Sequence, residues 1–570
     1  MMSKNVITKE KIADAWDALR KYKSAKSNLE NTIVKNEMFF KQRHWEVLRK
    51  EGEPPKPSSG WMFNSIINKH ADAMDNYPEA VCTPREESDE ESAAILSSIL
   101  PVILERNEFE KTYSDNTWYK LKHGTCVYGV FWNSELENRL GDVQIKKIDL
   151  LNMFWEPGIT DIEKSRNLFI CDLVPTDVIK VSYPKAEIKG GNQTEIKKYI
   201  YDDDVDTSDK ALVVDWYYKK GGKLQYCKFC EDNILFASEN EDGYENGWYE
   251  DGEYPIVIEK LYPEEGTITG FGVIAQTKDA QLYIDTLDNS IMDYINAASR
   301  ARFITKKGSG INEKDVLDLG KAVIEVDGDV DERRVKQFTL NPLNGYVMNF
   351  REAKINELKE TSSNRDFSQG GTMGGVTSGA AIAVLQEAGS KTGRDNTKES
   401  YRGTKKVVSK VIERIRQFYT VDRAFRITGE NGAYSYVHFG NSRIKEQSMG
   451  MVGGKELFRK PVFDIDIKAQ RQNPFSKLSQ NETIMNLYGA GIFAPENAQA
   501  ASAVLELMDF EGKKKALEFV QNGATLQNQL MQMNQQMQML MQENAMLKKE
   551  VGVNNPSTAS GPPPFAQGRL

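Results

Sequence analysis

The residues able to do chemistry in this sequence are few, and their spacing tests three kinds of site. Cys227 and Cys230 form a CxxC, the spacing of a zinc knuckle or a redox pair. No second CxxC or His pair lies nearby to complete a tetrahedral zinc site. The surrounding LQYCKFCEDNILF alternates as a strand does, and residues three apart on a strand point to opposite faces, which favours a chance CxxC in a hairpin. GGTMGGVTSG at 370–379 leads into a helix and carries the Gly370–Gly375 spacing of a phosphate loop. A Walker A loop needs Lys next, because its ammonium neutralises the β and γ phosphates, and Val376 stands there instead. The segment therefore reads as a flexible loop with an N-cap at Ser378. DGDVDE at 327–332 has alternate carboxylates like a calcium loop, but Glu332 and Phe338 occupy the places where an EF-hand wants Gly and Glu. A charged hairpin turn is the favoured reading. His44, His70, His123 and His438 are too dispersed for a His-based centre and read as structural, and no GxSxG or nearby Ser/His/Asp set stands out. No catalytic residue, metal ligand or cofactor is expected.

Charge narrows the class further. The chain has 570 residues, with 74 Lys plus Arg against 83 Asp plus Glu, a formal net charge of −9. That is not the balance of a protein that coats nucleic acid through a basic surface. One basic stripe stands out, with Lys391, Arg394, Lys398, Arg402 and Lys405 at three- or four-residue steps along a helical pattern. A solvated face is the usual reading, and contact with a polyanion or a neighbouring acidic subunit is the alternative. The acidic runs DDDVD at 202–206 and ENEDGYENGWYEDGE at 239–253 read as solvated loops. Five dispersed cysteines do not form a disulfide framework, no apolar run reaches 18 residues, and the N-terminus has no signal-peptide core. A soluble intracellular protein without membrane contact is expected.

The elements that must position these residues follow an α+β pattern. Residues 8–50 are helical, EGEPPKPSSG breaks the pattern, and two helices follow at Trp61 to Tyr77 and roughly Asp89 to Gly124. Seven short strands come next: TCVYGVFWN, DVQIKKID, LFICDLV, ALVVDWYYKK, LQYCKFC, NILFASE and PIVIEKLY. From Phe271 to about Arg302 the apolar spacing predicts one helix of some 30 residues. A compact insert spans 303–345, with strands at RFITKK, AVIEVD and VKQFTL and a short helix from Asn312. A helix opens near Gly345, dissolves into DFSQGGTMGGVTSG, and a second long helix runs from near Ser378 to Tyr419. Strands FRITG, AYSYVHFG and PVFDIDIKA close this part. Three helices follow, from Ser479, from Pro495, and one ending about Val520. Then comes a Met- and Gln-rich heptad helix, with Leu526, Met533, Leu540 and Leu547 at one core position and Leu530, Met537 and Asn544 at the other. The tail NNPSTASGPPPFAQGRL reads as disordered.

This order resembles that of a tailed-bacteriophage portal protein, the head-to-tail connector of podovirus and siphovirus type. WMFNSIINKHADAMDNYPEAV (61–81) resembles the family's wing helix before its first strands. IDLLNMFWEPGITDIEKSRNLFI (148–170) resembles its N-x-F-x-x-P stretch with a charged turn and strand. VTSGAAIAVLQEAGSKT (376–392) resembles its SG-x-A helix start. The resemblance implies a portal fold: a mixed α/β wing at 1–269, a first stem helix at 270–302, a small α/β clip at 303–345 and a second stem helix at 346–365. It also implies a tunnel loop at 366–378, a long wing helix and closing strands at 379–474, a helical crown at 475–525 and its extension at 526–549. By carry-over, the loop that faces DNA would comprise Arg365, Asp366, Ser368, Gln369, Gly370, Gly371, Thr372, Met373, Gly374, Gly375 and Thr377. The clip, which would dock terminase, would present Lys306, Lys307, Asp327, Asp329, Asp331, Arg333, Arg334 and Lys336.

The implied function is a ring, usually of about twelve subunits, at one capsid vertex, through which double-stranded DNA is packaged, retained and ejected. Implied partners are the terminase large subunit, capsid and scaffolding proteins, and tail adaptor or head-completion proteins, with residence in the virion and, during assembly, the host cytoplasm. The residues agree physically: DNA must slide, so a wall rich in Lys and Arg would bind it too tightly. Arg365 and Asp366, near the loop's start, are its only charges. The competing expectations are a non-enzymatic scaffold or adaptor assembled through its C-terminal heptads, and a nucleotide-dependent motor.

Overall fold

The computed structural model describes residues 6–48, 56, 58–188, 190, 196–201, 207–299, 302–305, 314, 335–338, 341–363, 391–428, 434–452, 455–469 and 513–552, with isolated positions at 485, 489, 502 and 505. Its fold is mixed helix and strand, in two units, Met1–Gln470 and Arg471–Leu570. The AVIEVD strand of the insert, the loop 366–378 and the helices from Ser479 and Pro495 lie outside the described residues.

Helix α1 (Lys9–Phe40) is about 48 Å long at 1.5 Å per residue. Its first apolar stripe, Ile12, Ala15, Trp16, Leu19 and Tyr22, packs on a five-stranded sheet. Its second half sends Ile33 and Val34 into the largest core and Phe39 into a third cluster. After α2 (His44–Leu48) and α3 (Trp61–Asp75) comes β1 (Pro78–Pro84), then α4 (Glu90–Arg106) and α5 (Phe109–His123). The sequence pattern predicts one helix over the last two. The chain instead breaks at Glu108 (φ 47°), and Asn107 explains why: its Oδ1 accepts from Ile145 N at 2.8 Å while its Nδ2 closes on Ile103 O. A tertiary hydrogen bond has won over helical continuity.

Two sheets follow. β2 (Thr125–Asn133) is central, flanked by β3 (Asp142–Ile148) and β9 (Ile256–Lys260). β4 (Met153–Trp155), β5 (Asn167–Pro175), β6 (Lys210–Lys220), β7 (Lys223–Cys230) and β8 (Asn233–Ala237) form an antiparallel meander, with α6 (Thr176–Ser182) between β5 and β6. All seven predicted strands are present within a few residues. In the β7–β8 hairpin Cys227 joins the cluster under α1, while Cys230 joins a separate one with Ile179 and Val213. The two thiols thus face opposite ways, and burial pushes them up to about 12 and about 11.

A short pair, β10 (Tyr262–Pro263) and β11 (Gly270–Phe271), leads into α7 (Val273–Ser299). Two glycines set this entry. A Cβ on Gly124 (φ +87°) would lie 2.2 Å from the Phe271 carbonyl carbon, and one on Gly272 would lie 2.7 Å from the Leu121 and Lys122 oxygens. Only hydrogen fits there, so the end of α5 and the start of α7 pack backbone to backbone. β12 (Arg302–Thr305) pairs with β13 (Val335–Phe338) ahead of α8 (Gly345–Thr361). α9 (Lys391–Phe418) then crosses the β2–β3–β9 sheet, burying Val407, Val408, Val411, Ile412 and Ile415.

β14 (Arg423–Thr428) pairs with β15 (Tyr434–Phe439). β16 (Gln447–Val452) pairs with β17 (Lys455–Arg459), a hairpin not expected from the sequence. β18 (Phe463–Ala469) returns across the chain to pair with β1. In the second unit α10 (Lys513–Gly552) is one continuous 40-residue helix. The expected end near Val520 and restart at Leu526 do not occur, because Asn522 and Gly523 are tolerated inside the helix.

Candidate functional site

The element with the clearest functional geometry is the hairpin made by α7 and α8. Its partners run in opposite directions along both helices. Ile284 meets Ile355 and Leu358, Asp288 takes a two-pronged ion pair from Arg351 (Nη2 to Oδ2 3.0 Å), and Tyr294 donates to the Asn341 carbonyl. The antiparallel register carries on into the strands beyond, where Arg302 lies opposite Phe338 and Ile304 opposite Lys336. The two helices and the β pair therefore form one antiparallel rod. Of the expected clip residues only Lys336 is on a described strand; Lys306, Lys307, Asp327, Asp329, Asp331, Arg333 and Arg334 lie outside the described residues, as do all eleven loop residues from Arg365 to Thr377.

The rod is rooted by a buried polar knot. The Asp285 carboxylate sits at its centre, 3.1 Å from His44 Nε2 on one oxygen. Ser58 Oγ donates to that oxygen at 3.0 Å, and the other accepts from Ser59 N and Oγ at 2.8 Å each and from Gln281 Nε2 at 2.9 Å. Gln281 Oε1 in turn accepts from Met62 N. Burial pushes the Asp285 carboxyl up, but these donors outweigh it and hold it below the ordinary Asp value. Ser, His and Asp thus meet here, which the sequence did not reveal across more than two hundred residues. The geometry is not that of a nucleophile relay. A relay needs the serine on one ring nitrogen and the carboxylate on the other. Here both serines donate to the carboxylate, His44 Nδ1 is buried without a partner, and the ring is stacked on Phe39 at 4.6 Å. The knot fixes position.

Two further buried charge clusters tie α9 to the sheets. Lys120 reaches Glu259 Oε2 at 2.9 Å and Ser400 Oγ at 2.6 Å, all three buried. Gly403 permits this approach, since a Cβ there would fall 1.8 Å from Glu259 Oε1. Burial raises the Glu259 carboxyl despite the lysine, while Glu259 holds the Lys120 ammonium charged, so the charged pair is the state the geometry supports. Farther along, Arg414 is fully buried, 3.0 Å from Asp251 Oδ2 and stacked 3.4 Å over the Tyr249 ring. Lys410 reaches Glu253 at 2.8 Å. The acidic run 239–253, expected to be a solvated loop, is therefore in part the dock for the inner face of α9. The expected basic stripe is on the other side: Arg394, Lys398, Arg402 and Lys405 are exposed, and the Lys391 side chain lies outside the described residues.

The rod has a conspicuous surface. Tyr283, Met292, Ile295, Tyr346, Met348 and Phe350 stand 37–70% exposed on a two-helix element that has little core of its own. At about 100° per residue Tyr283 and Met292 stand on opposite sides of α7, so these side chains are spread around the two helices rather than along one face. Comparison with known families identifies the setting: residues 64–262 and 220–555 match the phage P22-like portal protein. The chain belongs to that family. No curated protein matches it at significant similarity. As a portal protein it is a structural, non-enzymatic component of phage assembly. Membership implies an oligomeric ring and a place in the virion capsid. Among the described residues no helix is long and apolar enough to cross a membrane, and no group of three or more His, Cys, Asp or Glu is placed to hold a metal ion.

Proposed function

We propose that this portal protein closes into a ring of about twelve subunits at a single capsid vertex and serves as the channel for double-stranded DNA during packaging, retention and ejection. The observation that carries this reading is the set of exposed apolar side chains around the α7–α8 rod in a chain of the portal family. In a ring each rod is flanked by two copies of itself, which covers both sides of a two-helix element. The β12–β13 tip then serves as the docking site for the terminase large subunit and, after packaging, for tail adaptor or head-completion proteins. The sheet region around α1 to β9 faces the capsid and scaffolding proteins.

The segment 366–378, between α8 and α9, faces the DNA in this reading. Its Gly, Ser, Thr, Gln and Met content avoids the multiple Lys and Arg contacts that would arrest sliding. Deleting 368–376 is expected to leave ring assembly intact while impairing packaging or retention of DNA. Normal packaged-genome length and particle yield in that deletion would remove the loop assignment.

A second reading has one observation in its favour. Every described side chain from Met531 to Lys549 on α10 is exposed, including Met533, Met537, Leu540 and Leu547 of the heptad. A scaffold or adaptor held together by that helix alone would lose its oligomeric state on removal of 526–570. A ring held through rods and sheets would keep it.

A further inference from the structure

Alongside α9 runs a groove that none of the roles above uses. One wall is α9 from Glu399 to Ser409, and the other is the chain from Val462 to Ile465 entering β18. Ile258 and Glu259 of β9, with Arg85 just past β1, complete the lining. The groove encloses about 580 Å³ and continues past Pro461 and Ile412 into a second hollow of about 190 Å³. Two edge strands thus contribute to one groove, since β9 is outermost in its sheet and β18 has β1 as its only strand neighbour among the described residues.

The charges on this groove are unequal. Arg85 is taken up by Asp464 at 2.6 Å and Arg402 by Glu399 at 2.7 Å. Glu259 is taken up by Lys120 from the core side. Lys405 and Lys406 remain, both exposed and neither in direct contact with a carboxylate among the described residues, although the Lys405 charge also acts on Asp464. The same lining holds the apolar side chains of Val462 (44% exposed), Phe463 and the buried Ile465. Two exposed ammonium groups, neither in direct contact with a carboxylate among the described residues, share this lining with apolar side chains on a chain with a net charge of −9.

We propose that this groove docks an extended, acidic segment of a partner protein, with carboxylates on Lys405 and Lys406 and apolar side chains on Val462 and Phe463. Alternating acidic and apolar residues in an extended chain present the two chemistries on opposite sides, as the groove requires. DNA fits less well, because a sugar–phosphate backbone has no apolar group to bury against Val462 and Phe463. The inference stands on the groove alone and survives if the loop or tip assignments fail.

The test uses the full chain and a fluorescein-labelled eight-residue peptide alternating Asp and Val, followed by anisotropy at low salt. Saturable binding is expected, weakened at least tenfold by the double change Lys405→Glu with Lys406→Glu and at least threefold by Val462→Asp. Lys398→Glu, a charge reversal outside the groove lining, is expected to leave it unchanged. Circular dichroism melts of each variant separate lost binding from lost folding. Three results would overturn the proposal. One is no saturable binding, or binding indifferent to the lysine reversal. Another is preferential binding of a twelve-base-pair duplex that depends on the same lysines. The third is peptide binding to dissociated chains but not to assembled oligomers, which would make a neighbouring copy the occupant.

Discussion

In the sheet region Tyr128, Phe154, Phe169 and Phe229 are fully buried, whereas along the α7–α8 rod Tyr283, Met292, Ile295 and Tyr346 are half or more exposed. The same residue types serve opposite ends. Each buried aromatic stabilises the single chain by about 2 kcal/mol or more, and an exposed one contributes nothing until something covers it. The sheet region also closes its charges internally, as with Arg414 on Asp251 and Lys120 on Glu259. The rod has one two-pronged ion pair, one small cluster and a polar root. In the proposed ring, a subunit built this way would fold around its sheets and hold out a rod that its neighbours cover. That division suits a ring whose subunits must be stable before they assemble.

The largest expected effect tests the self-contained side. Arg414→Met leaves Asp251 buried without its partner and is expected to cost about 3–5 kcal/mol in urea unfolding of the unassembled chain. Next comes Asp285→Ala, which strips partners from Ser59, Gln281 and His44 together. A loss of about 3 kcal/mol is expected, together with faster proteolysis of the rod. A loss below about 1 kcal/mol would mean that the knot does not root it.

A third prediction concerns acid. Lys122 and His123 hold the Glu37 carboxyl down to about 2, against the effect of burial, with Lys122 Nζ 2.5 Å away. A carboxyl lowered on folding stabilises fully above its unfolded value of about 4.5, and that contribution fades as pH falls toward 2. It amounts to at most about 3 kcal/mol. His123, lowered by burial, adds in the same direction below about 6.5, because the unfolded chain takes up the proton more readily. Glu37→Gln is therefore expected to flatten the acid limb of a stability–pH curve. An unchanged limb would place acid sensitivity elsewhere.

The smallest effect on the single chain is the sharpest for the comparison. Met292→Ser with Tyr346→Ser should change the unfolding free energy of the unassembled chain by no more than about 0.5 kcal/mol each, yet sharply reduce ring formation by light scattering. If the pair instead unfolded the chain as Arg414→Met does, the contrast between the two regions would fail.

How much of this was legible in the sequence follows from range. The meander strands and the long helix from Phe271 were readable because period 2 and period 3.6 are local signals. The pairing of β1 with β18, nearly four hundred residues apart, leaves no local trace, and neither does Asp285 meeting His44 and Ser59. Asn107 did offer a turn signal that the apolar run around it masked. The role of the acidic loop was missed because Asp251 and Glu253 look solvated until α9 is laid across them. The order of helix, insert, helix, Gly-rich segment and helix carried the family, although no single motif did.

The central claim is that exposed rods pack side by side around a channel, and imaging of intact phage particles tests it most directly. Reconstruction without imposed symmetry is expected to place this chain at one vertex only, as a closed ring with the α7–α8 rods in mutual contact through Met292, Ile295 and Tyr346. Chains distributed over many vertices, or a ring whose rods do not touch, would contradict the account.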